Sequence, residues 1–203
     1  MDNLYELIKK LIKNSERINV ILQDTVDWTE KELMKYGIEL DKVIGLIEGE
    51  YENENYVEVS VLTDRIYYER HQNCTNGFNT FTLAPNGKFY VCPAFYFNNP
   101  QDSIGDLDSG IETGLKNQMD IKNSLICDNC DAYQCKACKF ENKQATEEYL
   151  IPSKIQCLIS TLERNKAKDL HESLKKLDEK FEDVLISKIE YKDPMELVLN
   201  KIN

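Results

Sequence analysis

Apolar residues near the N-terminus recur at helical spacing. Leu4, Leu7, Ile8 and Leu11 line one face of a predicted helix, and the run Ile-Asn-Val-Ile-Leu at 18–22 suits a buried strand. A second helix is predicted from Thr29, whose hydroxyl pairs with Glu32 in a capping box. Leu33, Leu40, Val43, Ile44 and Ile47 form its buried face, against which Gly37 and Gly45 cost roughly a kcal/mol each. Val57, Val59 and Val61 alternate with Glu58 and Ser60, the period of a strand. Strand, helix and strand joined by so long a connection imply a parallel pair with a right-handed crossover.

The pattern then changes twice. Between residues 71 and 157 periodic apolar positions are scarce, apart from Phe-Thr-Leu at 81–83 and Phe-Tyr-Val at 89–91. These flank Ala-Pro-Asn-Gly at 84–87, where proline presets φ and glycine accepts a positive φ, so a hairpin is predicted. The stretch 98–103 and the surroundings of Gly105, Gly110 and Gly114 read as loop. From 158 to 203 helix returns. Leu170, Leu174, Leu177, Phe181 and Val184 form an amphipathic stripe that packs on the rest of the chain, and Pro194 interrupts before a last short helix. The fold class is α+β in three segments, 1–70, 71–157 and 158–203.

Composition narrows the function. The chain has 203 residues, room for one or two small domains. Its net charge is −11, with 36 acidic against 25 basic residues, which argues against a nucleic-acid partner and suits solubility. No segment has the apolar run of a membrane span, and the N-terminal segment lacks the apolar stretch of a signal peptide. A cytoplasmic setting follows as the expectation, where thiols stay reduced.

That matters because seven cysteines lie between residues 74 and 157. Cys74 and Cys92 bracket the predicted hairpin turn, Cys127 and Cys130 form one C-x-x-C pair, Cys135 and Cys138 a second, and Cys157 stands alone. Two thiolates three residues apart reach one metal from a single turn. An odd count does not suit a purely disulfide framework. Three readings compete. Zinc would take Cys127, Cys130, Cys135 and Cys138, although four intervening residues is short for a two-knuckle site. Iron–sulfur would use all seven, four thiolates on one cluster and three on another with one iron open. Simple burial suits only Cys157, which shares an apolar helical face with Ile155 and Ile159.

The order C-x12-G-x4-C, C-x-x-C, C, C and a final C resembles the SPASM domain at the C-terminal end of many radical S-adenosylmethionine enzymes. The stretches at 18–24, 61–65, 83–96 and 127–138 resemble most closely the CXXX-repeat peptide maturases, with a likeness running from about residue 15 to residue 170. The resemblance implies two auxiliary [4Fe–4S] clusters. Cys74, Cys92 and Cys138 would hold the first, and Cys127, Cys130, Cys135 and Cys157 the second. The family spaces its central cysteines C-x2-C-x5-C-x3-C, and this chain has one residue fewer in each of the last two gaps, which leaves the division of Cys135 and Cys138 open. Residues 1–70 would be the closing strand–helix–strand remnant of a partial TIM barrel, and 71–157 the cysteine-rich hairpin and knuckle region.

The C-x-x-x-C-x-x-C loop that binds the cofactor in such enzymes is absent from this sequence, as is the Gly-Gly-Glu segment beside the methionine. The chain is therefore not expected to cleave S-adenosylmethionine. It reads as the C-terminal piece of such an enzyme, a split subunit or a descendant that lost the radical core. Its implied partners are a cysteine-rich ribosomal precursor peptide and a separate radical subunit. The rival function is a zinc-stabilised, non-catalytic interaction module whose C-terminal helix is the docking surface. No nucleophile–base pair is legible, and His71 and His171 read as surface or core residues. Asp24, Asp27 and Asp64 follow predicted strands and read as caps or turn closers. Phe95, Tyr96 and Phe97, next to Cys92, read as a shield around a cluster.

Overall fold

Helix α1 (Leu4–Leu11) buries Ile8 while Leu7 and Leu11 stay exposed, as expected for one apolar stripe on a short surface helix. Its N-terminus is held by a distant carboxylate: the Tyr5 backbone N–H donates to Glu39 of α2 (Glu30–Glu52) over 2.9 Å. The computed structural model describes residues 3–67, 74–112, 114–124, 126–127, 130, 132, 134–182, 184 and 186. These form two compact units, one of residues 1–70, 131–134 and 155–191, the other of residues 71–130, 135–154 and 192–203. The helix-and-small-sheet content is that of an α+β protein.

In the first unit the Thr29–Glu32 capping box forms as predicted and opens α2. Strands β1 (Arg17–Ile18) and β2 (Glu58–Val59) flank α2 and pair in parallel, Arg17 opposite Glu58 and Ile18 opposite Val59. Both strands are shorter than the sequence suggests. Helix α3 (Ser60–Tyr67) starts directly after Val59, and the Val20 N–H donates to the Ser60 hydroxyl over 3.0 Å instead of a neighbouring strand. Val61 therefore belongs to a helix whose buried residues include Leu62, Arg65 and Ile66, and Ile21 is 75% exposed. Among the described residues this is the only sheet whose strands run parallel.

Helix α7 (Lys154–Leu174) lays Ile159, Ala167, Leu170 and Leu174 into the same core as Ile8, Leu40, Ile47 and Leu62. The apolar stripe predicted to run on to Val184 does not continue as one helix. The backbone turns after Leu174, the Asp178 carboxylate caps a 3₁₀ turn at Glu179–Phe181, and Leu177 is left exposed while Phe181 is buried. Pro194 and the last predicted helix lie outside the described residues.

His171 is a core histidine, and its Nε2 lies 2.9 Å from the Phe181 carbonyl. Nδ1 is buried with no hydrogen-bond partner. Burial pushes the imidazole below its usual pKa, with Lys175 and Lys168 adding to the fall and the Phe181 carbonyl and Glu172 opposing it. A depressed histidine stabilises the fold above its unfolded pKa, about 6.5, and that contribution is lost as pH drops through the folded value. Replacing His171 by glutamine should flatten this slope. Denaturant midpoints measured at about pH 7.5 and about pH 5.5 should differ more for the native chain than for H171Q.

The second unit is built on a four-stranded antiparallel sheet, β3 (Thr82–Leu83), β4 (Lys88–Tyr90), β5 (Gly105–Asp106) and β6 (Gly110–Ile111). The β3–β4 hairpin is the one predicted, with the Gly87 N–H donating to the Ala84 carbonyl over 3.0 Å and φ of 75° at Gly87. The expected loop around Gly105 and Gly110 is instead the second hairpin. Asp106 nucleates it by accepting from the Asp108 and Ser109 backbone N–H groups. A Cβ at Gly105 would stand 1.9 Å from the Gly110 carbonyl oxygen, so only glycine permits this approach. Helices α4 (Pro93–Asn98), α5 (Leu115–Met119) and α6 (Lys139–Thr146) complete the unit around Tyr90, Phe95 and Met119.

Candidate metal centre

The seven cysteines are all among the described residues, all half-buried, and no disulfide joins them. Six lie in the second unit, and Cys157 lies in the first, on α7. Within the second unit the thiols fall into two neighbourhoods.

The first is formed by Cys74 and Cys92, with Lys139, the residue after Cys138, beside them. Cys92 follows the β4 edge of the predicted hairpin and precedes α4, while Cys138 precedes α6, so each stands at the N-cap of a helix. No side-chain capping bond of ordinary geometry forms at either. Burial pushes the Cys92 thiol up, and the backbone N–H groups of Ala94 and Phe95 offset part of that rise. Cys74 is close enough to add to it. Burial also raises the Cys138 thiol, with the Glu141 backbone N–H opposing. Between these thiols sits Lys139, 5% exposed, whose Nζ donates to the Cys74 carbonyl over 3.0 Å. Burial pushes this ammonium down, and Cys74, Cys138, Asp120 and Cys92 pull it back up.

The second neighbourhood is Cys127, Cys130 and Cys135. A turn brings the Cys130 N–H onto the Cys127 carbonyl over 3.2 Å, and the Cys127 N–H donates to the Ser124 hydroxyl over 3.1 Å. Burial pushes the Cys127 thiol up to about 11; Ser124 opposes this, and Cys135 and Cys130 add to it. The backbone ahead of Cys135 and Cys138 is left-handed at Gln134 and Ala137, with φ of 61° and 40°. Neither residue is glycine, so each holds a conformation that costs of order 1 kcal/mol. Asp128, Asn129, Asp131 and Tyr133, the rest of the expected knuckle, lie outside the described residues.

These environments bear on chemistry. A thiol held near 11 is protonated at neutral pH and is a poor nucleophile. A bound cation reverses that, because coordination deprotonates a thiol outright. The donor chemistry therefore suits a thiophilic metal, since among the described residues both neighbourhoods offer sulfur without imidazole. The side chains do not stand in the spacing of a filled centre. Among the described residues, no group of three or more His, Cys, Asp or Glu is arranged to hold a metal ion.

Other sequence candidates are accounted for structurally. Asp64 pairs with Arg17 at 2.8 Å, and Asp24 turns the chain with φ of 53° ahead of the 3₁₀ turn Thr25–Asp27, which contains Asp27. His71 lies outside the described residues. Phe95 meets Phe140 and Tyr149 edge-on or tilted in the core, and Tyr96 packs on Tyr90. Phe97 is 80% exposed, so it shields nothing. In the first unit a cleft of about 270 Å³ is lined by Arg17, Tyr51, Tyr56, Glu58, Tyr67 and Lys180. Its polar groups are engaged with one another: Arg17 with Glu58, the Tyr51 and Tyr67 hydroxyls at 3.3 Å, and Lys180 over the Tyr56 ring at 4.2 Å.

No helix among the described residues is long and apolar enough to cross a membrane. Sequence reasoning missed Lys139 and Ser124: a lysine among Lys136, Lys139 and Lys143 carries no signal until its burial is known. Comparison with protein-family models and with curated proteins returns no match for this chain.

Proposed function

We propose that this chain is an auxiliary iron–sulfur module of a peptide-modifying system of the radical S-adenosylmethionine type, with the SPASM-like cysteine order as its ligand set. Cys74, Cys92 and Cys138 would hold one [4Fe–4S] cluster, and Cys127, Cys130 and Cys135 would supply thiolates to the other. The observation that supports this most is that the second unit's thiols are half-buried, joined by no disulfide, and meet as Cys74 with Cys92 and as Cys127 with Cys130 and Cys135. Cys135 neighbours Cys127, and Cys74 neighbours Cys92, which favours the same division.

When bound, the clusters supply one-electron chemistry or an open iron for a thiol ligand. The chain's own residues half-bury the sulfurs and so limit their access to water, which tunes potential. The partner is a cysteine-containing precursor peptide presented to a radical centre on another segment, in the cytoplasm. The first unit, with its single short βαβ unit, is in this reading the remnant of a partial barrel.

Protein prepared without oxygen should be brown, absorb near about 400 nm and carry about eight irons per chain. Colourless protein with stoichiometric zinc overturns the proposal in favour of a zinc-stabilised interaction module.

A further inference from the structure

Several segments of the first unit meet at the cleft of about 270 Å³ described above. Tyr51 stands in the last turn of α2, Tyr56 on the link between α2 and β2, Tyr67 in α3, and Lys180 in the turn after α7. The rings form a wall. Tyr51 meets Tyr56 edge-on with centroids 5.2 Å apart, and Phe181 backs Tyr51 at 6.0 Å and Tyr67 at 5.8 Å. Against that wall lies an ammonium of the chain itself: Lys180 Nζ is 4.2 Å from the Tyr56 centroid, 5.0 Å from Phe181 and 5.2 Å from Tyr51. An aromatic face attracts a cation through its quadrupole, so this wall is already a seat for positive charge.

The surrounding charges favour a cation over an anion. Arg17 is engaged by two carboxylates, Glu58 and Asp64, and Lys180 by the Asp178 carboxylate 3.0 Å away. Glu16 also lines the cleft, so four carboxylates stand against two cations. The second Asp64 oxygen is buried with no hydrogen-bond partner among the described residues. The last turn of α2 carries no basic residue, which leaves the negative end of its dipole at the cleft. An anion would have to break the pairs that Arg17 and Lys180 already make.

We propose that this cleft is a binding site for a quaternary or methylated ammonium group, with Lys180 as a resident cation that yields its place to the ligand. A primary ammonium is strongly hydrated and loses that hydration against the rings, whereas a methylated one gives up less and presents more apolar surface to them. Lys180 has somewhere to go, since its side chain is 44% exposed and already pairs with Asp178. The cleft is smaller than the about 300–1,000 Å³ usual for drug-sized ligands, which suits a compact headgroup. No cysteine takes part, so the site is independent of the iron–sulfur reading.

The test titrates choline into the full chain and follows the Tyr51 and Tyr56 amides by nuclear magnetic resonance. Native protein should bind choline saturably, and Lys180→Ala should bind it about tenfold more tightly because the competing cation is gone. In the K180A background Tyr56→Leu should weaken binding about tenfold and Tyr56→Phe should leave it unchanged, since the ring and not the hydroxyl faces the cation. Tyr56 is 53% exposed, so neither change threatens the fold. Dimethylbutanol, the uncharged carbon isostere of choline, should not saturate the site. A short peptide bearing trimethyl-lysine separates the two sources of such a group: tighter binding than choline assigns the site to a modified side chain, weaker binding to a free ammonium compound. Four results overturn the proposal: no saturable binding of choline to K180A, equal affinity for dimethylbutanol, unchanged affinity in K180A/Y56L, or tighter binding of inorganic phosphate than of choline.

Discussion

Replacing Glu163 by leucine should cost about 3–5 kcal/mol of folding stability, the loss expected when one partner of a buried ion pair is removed. Glu163 is 4% exposed and accepts from the Tyr36 hydroxyl over 2.6 Å while pairing with Arg65, itself 4% exposed. Burial and the neighbouring carboxylate together push the Tyr36 hydroxyl well above its usual pKa, so it remains a donor throughout the ordinary pH range. Arg65 is fixed further by its Nε donating to the Val61 carbonyl over 3.3 Å, and the Arg65 carbonyl accepts from Arg164 over 3.1 Å. E163L would leave the buried Arg65 guanidinium without its carboxylate. The double variant E163L/R65M should recover most of the loss, since well-packed apolar replacements of a buried pair are often neutral. Urea denaturation of the two single variants and the double gives the coupling. A loss in E163L below about 1 kcal/mol would mean that the network is hydrated and contributes no more than a surface pair.

Changing Cys127 and Cys130 together to alanine should lower the iron of anaerobic protein from about eight to about four atoms per chain. The same change should lower the cooperativity of unfolding in the second unit. Among the described residues, that unit's buried apolar cluster comprises Ala84, Tyr90, Val91, Phe95, Ile104, Leu115 and Met119, against a cluster of twenty in the first unit. A core so small is marginal without a covalent or metal staple. Iron analysis and calorimetry read both effects. Iron unchanged in the double variant removes Cys127 and Cys130 from the ligand set.

The first unit was largely legible in the amino-acid pattern. Helix α1, the Thr29–Glu32 cap of α2 and the parallel strands around it follow from spacing and capping chemistry, which act within a few residues. The errors there have local causes too. Val57, Val59 and Val61 satisfy a strand period over five residues, but Leu62 and Ile66 continue a helical one, and burial chose the latter. The 3–4 stripe through Leu177 ran past a turn that only the burial of Phe181 makes favourable. Hairpin β5–β6 was invisible because two-residue strands show no alternation.

The candidate centre divides in the same way. Cysteine count and spacing could be read from the chain, because ligand type and short-range reach are properties of the residues themselves. The grouping of Cys127 with Cys135, the neighbourhood of Cys74 and Cys92, and the buried place of Lys139 were decided by tertiary structure. Desolvation and charge depend on which segments meet, and no periodicity along the chain encodes the meeting of residues 74 and 139.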